Sequence, residues 1–310
     1  MGGTVAFIGL GVMGGPMARN MIGRGFALSV YDVSEQAMAA FADGSCRCAA
    51  SPEDAAAGAD VVVTMLPDIP HVREALLGPQ GACRSLRPGG LVIEMSTVGV
   101  AGSLGLARDL NALGFRMIDA PVGRPPEDAR QGTLIVMAGG SDPDMAEARP
   151  LLEAVADTIV HVGPQGDGIK LKLVNNYMAM VGMLMTAEAL ALAKAAGLDR
   201  ETAVRVISTT AAGRGQIIVN YPKKVLAGDI TPDFPLRMGV KDIGHALDLG
   251  AEVRCPLPLG ALTRQFFSLA DAQGRGGEDC TAILLFLEDL MRAPGSGDPR
   301  AGVEGSPGAA

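Results

Sequence analysis

The chain has 310 residues, enough for one large or two ordinary domains, and 48% of them are hydrophobic, enough for a sizeable core. A formal net charge of −8, 4% aromatic residues and the lack of tryptophan argue against a polyanion-binding surface or base stacking, while leaving room for a local cationic pocket for a small anion. The five cysteines (Cys46, Cys48, Cys83, Cys255, Cys280) offer only a C-x-C as a close pair, and with three histidines (His71, His161, His245) they give no zinc spacing, so reduced thiols in a cytoplasm and no metal site are expected.

The N-terminal run MGGTVAFIGLGVMGG is apolar without a basic leader, and reads as a buried strand rather than a signal peptide. Strands are expected at 5–10, 27–32, 59–67, 89–97, 115–122 and 133–140, with helical stretches such as SEQAMAAFAD and DIPHVREALL between them. The strand runs are apolar on both faces, as parallel strands covered by helices must be. After HVGPQGDG (161–168) the rhythm changes: one long helix at 169–195 is followed by helical segments near 199–211, 215–227, 236–250, 256–273 and 278–292. The pattern predicts an α/β Rossmann-type doubly wound sheet over 1–165 and an all-α domain over 166–292, with the long helix between them. The Gly/Pro-rich end, 293–310, is expected to be a disordered tail. The uncharged run 173–187 reads as too short to span a membrane.

GLGVMG at 9–14 is a G-x-G-x-x-G that follows one strand and opens a helix. Gly9 permits the tight turn, Gly11 lets a pyrophosphate approach the backbone, and Gly14 allows close helix packing; the N–H groups around Val12 and Met13 then face the phosphates. Asp32 ends the second strand, where a carboxylate accepts from both hydroxyls of an adenosine ribose and repels a 2′-phosphate, so NAD (as NADH) is the expected cofactor. The alternative is a helix cap, since Asp32 and Ser34 precede SEQAMAAF.

Reduction of a carbonyl needs a proton donor, and no histidine lies in a convincing motif; His161 reads as structural. Lys172, Asn175 and Asn176 lie three and four residues apart on one helical face of an otherwise apolar helix. A lysine there is partly desolvated, which lowers its pKa and makes it a better acid. The alternative is an ordinary lysine of the first turn, as Lys170 is expected to be.

Together GLGVMGGPMARN, the strand-end aspartate, DAPV followed by GTL, K-x-x-x-N at Lys172 and Asn176, and KD at 241–242 resemble the β-hydroxyacid dehydrogenase family, over roughly 4–290. The resemblance implies a Rossmann domain, an all-helical domain and a cleft between them. It implies Lys172 as general acid/base with Asn176 as partner, Leu66 and Thr97 lining the dinucleotide, and Lys241 near the nicotinamide. Gly123, Arg124, Asn175, Asn176 and Ala179 form the expected substrate-binding set, in a homodimer or homotetramer acting on a small anionic aldehyde or hydroxy acid.

In most of that family DAPV continues with Ser-Gly-Gly, which cradles a carboxylate. Here it continues Gly123-Arg124-Pro125-Pro126, and Pro125 has no N–H to give. A guanidinium fork suits a larger anion with several oxygens. The 3-sulfolactaldehyde reductase branch is more similar still, through PVGR (121–124), LKLVNNYM (171–178), AAGRG (211–215), KDIGHALD (241–248) and PLGALTRQ (258–265). It carries Thr-Ser where Pro125 and Pro126 stand. The expected reaction is reduction of 3-sulfolactaldehyde to 2,3-dihydroxypropane-1-sulfonate. The alternatives are dehydrogenation of 3-hydroxyisobutyrate or another 3-hydroxy acid of the tartronate semialdehyde type, and a non-catalytic NAD-binding module. The alternative for Arg124 is a surface ion pair with Glu127 or Asp128.

Overall fold

The computed structural model describes residues 4–292, so the tail expected at 293–310 lies outside the described residues. The chain divides into two compact units between Met178 and Ala179.

The first unit is built on a sheet of nine strands among the described residues: β1 (Val5–Ile8), β2 (Leu28–Tyr31), β3 (Arg47–Cys48), β4 (Val61–Thr64), β5 (Leu91–Glu94), β6 (Arg116–Asp119), β7 (Val122–Gly123), β8 (Leu134–Gly139) and β9 (Ala156–Gly163). The order is β3-β2-β1-β4-β5-β6-β8-β7, with β9 on β8. Around it lie α1 (Gly14–Gly23), α2 (Glu35–Ala39), α3 (Pro52–Ala55), α4 (Ile69–Leu77), α5 (Val100–Ala112), α6 (Pro126–Gln131) and α7 (Asp142–Leu152). β1, β4 and β5 are buried throughout because their residues feed two cores in alternation. Phe7, Val63, Ile93 and Ile118 pack on one face, and Ala6, Val62, Val92 and Met117 on the other.

From β3 to β6 all pairings are parallel. The chain leaves β1 toward β2 and β3, then crosses back to β4, β5 and β6. The reversal opens a crevice beyond the carboxyl ends of β1 and β4, the place where doubly wound sheets bind ligands. The expectation of parallel strands fails at β8, which runs antiparallel to β6 and β7. The link 124–133 is shorter than the roughly dozen residues a parallel crossover needs. β3 escaped the sequence reading because it is an exposed two-residue edge.

The helix α8 (Asp167–Ala195) contains the point of division. At 29 residues, with an 18-residue stretch of mean hydropathy 1.4, it is long and apolar enough to cross a membrane by length and composition alone. Its Glu188 instead caps a helix of the same unit, accepting the N–H groups of Leu259 at 2.8 Å and Gly260 at 3.2 Å.

The second unit continues with α9 (Arg200–Ile207), α10 (Ala211–Arg214), α11 (Gln216–Val219), α12 (Leu236–Glu252), α13 (Pro258–Ala272) and α14 (Ile283–Met291). Leu236, Ala270 and Phe286 form its small core. The single helix expected over 215–227 is instead α11 and two 3₁₀ turns, Tyr221–Lys223 and Val225–Ala227. Gly215 at φ 96°, Pro222 and Gly228 at φ 74° interrupt the α-helical ladder there.

Candidate active site

The glycine loop after β1 is shaped by what its glycines exclude. Gly9 has φ 101°, and a Cβ there would drive into the carbonyl of Met65; one on Gly14 would drive into the carbonyl of Gly9. At Gly11 a Cβ would meet nothing within 4 Å. Gly9 and Gly14 are therefore required by packing, whereas Gly11 leaves room on the open side. The first helical bond runs from the Gly15 N–H to the Gly11 carbonyl at 3.0 Å. The N–H groups just before it take no partner within the helix, which suits an anion.

Asp32 follows β2 and closes the loop from the other side. Its Oδ2 accepts the Leu10 N–H at 2.7 Å and its Oδ1 the Ser34 N–H at 2.8 Å. Ser34 is the N-cap of α2, accepting the Ala37 N–H at 3.3 Å, so the cap belongs to the serine rather than to Asp32. Gly9, Gly11, Val12, Met13, Gly14, Asp32 and Leu66 all line one cavity of about 650 Å³, beyond the ends of β1, β2 and β4. An open glycine, free helix-start N–H groups and a carboxylate across the cavity fit a dinucleotide's pyrophosphate and ribose.

The carboxyl ends of the neighbouring strands form a polar row: Thr64, Glu94 and Asp119 stand in register on β4, β5 and β6. Glu94 is fully buried; its Oε1 accepts the Ser96 N–H at 2.7 Å while Oε2 has no partner among the described residues. Burial, reinforced by Asp119, pushes the Glu94 carboxyl up to about 8. Ser96 in turn accepts the Leu66 N–H at 2.9 Å, fixing the segment that lines the cavity. Thr97 is exposed just past β5 and is not part of the cavity wall.

Gly123 is buried in β7, where a Cβ would lie 2.6 Å from the Ile135 side chain. Arg124 follows at φ 79°, an unusual conformation for a side-chain-bearing residue. Pro125 and Pro126 do not continue the strand: Pro125 caps α6 and Pro126 is its first residue. The Arg124 guanidinium uses Nη1 for Asp157, at 2.8 and 2.9 Å, and for the Thr133 carbonyl. Its Nη2 makes one long contact, 3.5 Å to Thr158. The ion-pair partner is thus Asp157, correcting the expectation of Glu127 or Asp128; Glu127 pairs with Arg130 at 2.8 Å.

Lys172, Asn175 and Asn176 lie near the start of α8. Lys172 is half-buried, and that burial lowers the pKa of its ammonium. Asn175 Nδ2 approaches Asn176 Oδ1 at 3.4 Å. Lys170 pairs with Asp167 at 2.7 Å, as an ordinary first-turn lysine does. His161 bonds the Gly140 carbonyl through Nε2 at 2.9 Å, a structural role. In the second unit, Ala179 is exposed on α8, and Lys241 on α12 pairs with Asp242 at 2.9 Å.

Sequence reasoning missed Glu94 and Asp119 as buried polar strand ends, and His71, Glu74 and Gln80 as further lining of the cavity. A glutamate inside the apolar run LVIEMS was the available signal for the first.

Residues 4–163 match the NAD binding domain of 6-phosphogluconate dehydrogenase, and residues 166–287 the NAD-binding domain of NADP-dependent 3-hydroxyisobutyrate dehydrogenase. The 3-sulfolactaldehyde reductase of Escherichia coli K12 is 42% identical over 281 residues, covering 91% of this chain and 94% of that protein. The human mitochondrial 3-hydroxyisobutyrate dehydrogenase is 33% identical, covering 92% and 87%. Among solved structures, the 3-hydroxyisobutyrate dehydrogenase of Mycobacterium tuberculosis with L-serine aligns with a TM-score of 0.63 and 31% identity, over 93% of this chain and 99% of that one.

Proposed function

The chain belongs to the β-hydroxyacid dehydrogenase family, and from that premise we propose that it reduces 3-sulfolactaldehyde to 2,3-dihydroxypropane-1-sulfonate with NADH. It is an NAD-dependent oxidoreductase acting on small hydroxy acids or aldehydes. In our reading the glycine loop and Asp32 hold the dinucleotide, with Leu66 beside it and Thr97, just past β5, as a further contact. The bound nicotinamide supplies the hydride. Lys172 gives its proton to the carbonyl oxygen, because burial makes its ammonium a readier acid. Asn175 and Asn176 hold the substrate's oxygens, and Gly123 completes its surroundings.

The observation that carries the substrate is Arg124, standing where the family otherwise builds a carboxylate cradle. Asp157 occupies only its Nη1, so the Nε and Nη2 edge remains to grip two oxygens of a sulfonate. The same Asp157 pairing favours a second reading, in which Arg124 is structural and the substrate is 3-hydroxyisobutyrate or another 3-hydroxy acid. A non-catalytic NAD-binding module is disfavoured by the intact Lys172 and Asn176. We place the enzyme in the cytoplasm as a homodimer or homotetramer, a reading supported by free cysteines and by the exposed Val174, Tyr177 and Met183 on α8. We also assign residues 1–165 to cofactor binding and 166–292 to substrate binding and assembly. A panel of short acidic aldehydes assayed with NADH tests the function: turnover of the sulfonate above all carboxylates is expected, and turnover of none would leave only the binding module.

A further inference from the structure

We propose that Asp119 is a positioning residue for Lys172: its carboxylate seats the first turn of α8 on the end of β6 and so fixes where the lysine stands. The inference rests on the assignment of Lys172 as proton donor.

Asp119 is the last residue of β6 and has no exposed surface. Its Oδ1 accepts the Gly166 N–H at 2.6 Å and its Oδ2 the Ile169 N–H at 2.7 Å. Both are donors at a helix start, which has no acceptors of its own for them, and both bonds are charge-assisted. The fit is close. Gly139 faces Asp119 across the β6–β8 pairing, and a Cβ on it would lie 2.7 Å from Oδ1. A Cβ on Gly168 would lie 2.8 Å from the Asp119 carbonyl and collide with that of Met137. Two glycines thus let the helix start rest directly on the sheet. Lys172 lies three residues beyond Ile169, one turn from the second anchored N–H, so displacement of that turn displaces the lysine.

Accepting two N–H groups, one on each oxygen, favours the ionised carboxylate; protonation makes one oxygen a weaker acceptor whose own O–H must be aimed elsewhere in a closely packed seat. The groups facing Asp119 are acidic: Glu94 at the same register on β5, and Asp167 at the start of α8, itself paired with Lys170. Burial first, with Asp167 adding, pushes the Asp119 carboxyl up to about 6. Glu94, held up to about 8, stays protonated through that range. Acidification through about pH 6 should therefore loosen the seat and lower kcat for aldehyde reduction. Lys172 as acid predicts the opposite limb, a loss on the basic side, so the two are separable.

The experiment measures kcat for reduction from pH 5 to 9, and NADH affinity by cofactor fluorescence, for wild type, D119N, G139A and K172A. D119N should lower kcat roughly 10–100-fold, the scale of a small misplacement of a catalytic group, leave NADH affinity within about threefold, and abolish the acid limb. G139A keeps the charge and crowds Oδ1 together with the Pro164 carbonyl at 2.7 Å and the Gly168 N–H at 2.8 Å, all parts of the same seat, so it should lower kcat and shift the acid limb; it decides the matter if D119N does not fold. A D119N enzyme with wild-type kcat, one that keeps the acid limb, or one that loses kcat and NADH affinity in parallel overturns the inference, as does a G139A enzyme with the wild-type profile. K172A with wild-type kcat would instead overturn the lysine assignment beneath it, a result separate from any obtained with D119N.

Discussion

The Asp32 carboxylate accepts the Leu10 N–H at 2.7 Å, tying the end of the second strand to the glycine loop after the first. The tie places a negative charge on the wall of the cavity that the loop opens. A 2′-phosphate beside that charge would be repelled, whereas ribose hydroxyls would donate to it. We expect kcat/KM for NADH to exceed that for NADPH, and Asp32→Ala to narrow the gap by weakening NADH roughly 10–150-fold, the equivalent of a hydrogen bond to a charged group of about 1.5–3 kcal/mol. Equal use of NADPH by the wild-type enzyme would rule this out.

The loop glycines should separate stability from binding. Gly11→Ala has open space and should fold with an unchanged melting temperature, yet bind NADH more weakly because the methyl occupies the side offered to the pyrophosphate. Gly9→Ala must adopt φ 101° against the Met65 carbonyl and should lose several kcal/mol of stability. Calorimetry with and without NADH distinguishes them; a destabilised Gly11→Ala would show that its role is structural.

Lys172→Ala should lower kcat by roughly 10²–10⁴-fold while NADH still binds, the usual contribution of a positioned acid. A folded variant within about threefold of wild type would mean that another group carries the proton.

Glu94 sets a pH dependence of stability. Its carboxyl rises from 4.5 to about 8 on folding, so between those values the folded chain holds a proton that the unfolded chain has released. Stability from this group is therefore full at acid pH and lost as pH rises through that window; at about 1.4 kcal/mol per unit the loss is on the order of a few kcal/mol. Glu94→Gln, neutral throughout, should flatten the curve. Urea unfolding at pH 5, 7 and 9 tests this, and parallel curves for the two proteins would contradict it.

The doubly wound half was legible because β1, β4 and β5 are short unbroken apolar runs and because the glycine loop announces its own place between strand and helix. The turn of β8 against its neighbours was not, since a short link rather than the strand's composition reverses it. The cofactor side of the site could be read from Gly9, Gly11, Gly14 and Asp32, whose chemistry is local in sequence. Asp119 could not: its partners, Gly166 and Ile169, offer backbone N–H groups that any sequence carries, and only the fold brings them to it. Arg124 was legible as an anomaly but not in its partner, because Asp157 lies 33 residues further along the chain and only the pairing of β8 with β9 brings it close.

The central claim is that this family member prefers a sulfonate, and competition tests it most directly. An equimolar mixture of 3-sulfolactaldehyde and methylmalonate semialdehyde, reduced with limiting NADH and read by NMR, gives the ratio of the two kcat/KM values. We expect the sulfonate product in at least roughly tenfold excess, and Arg124→Ala to remove that excess, since a guanidinium fork discriminates by about 1.5–3 kcal/mol. Equal products, or an excess of 3-hydroxyisobutyrate, from the wild-type enzyme would contradict the account and return Arg124 to its surface pair with Asp157.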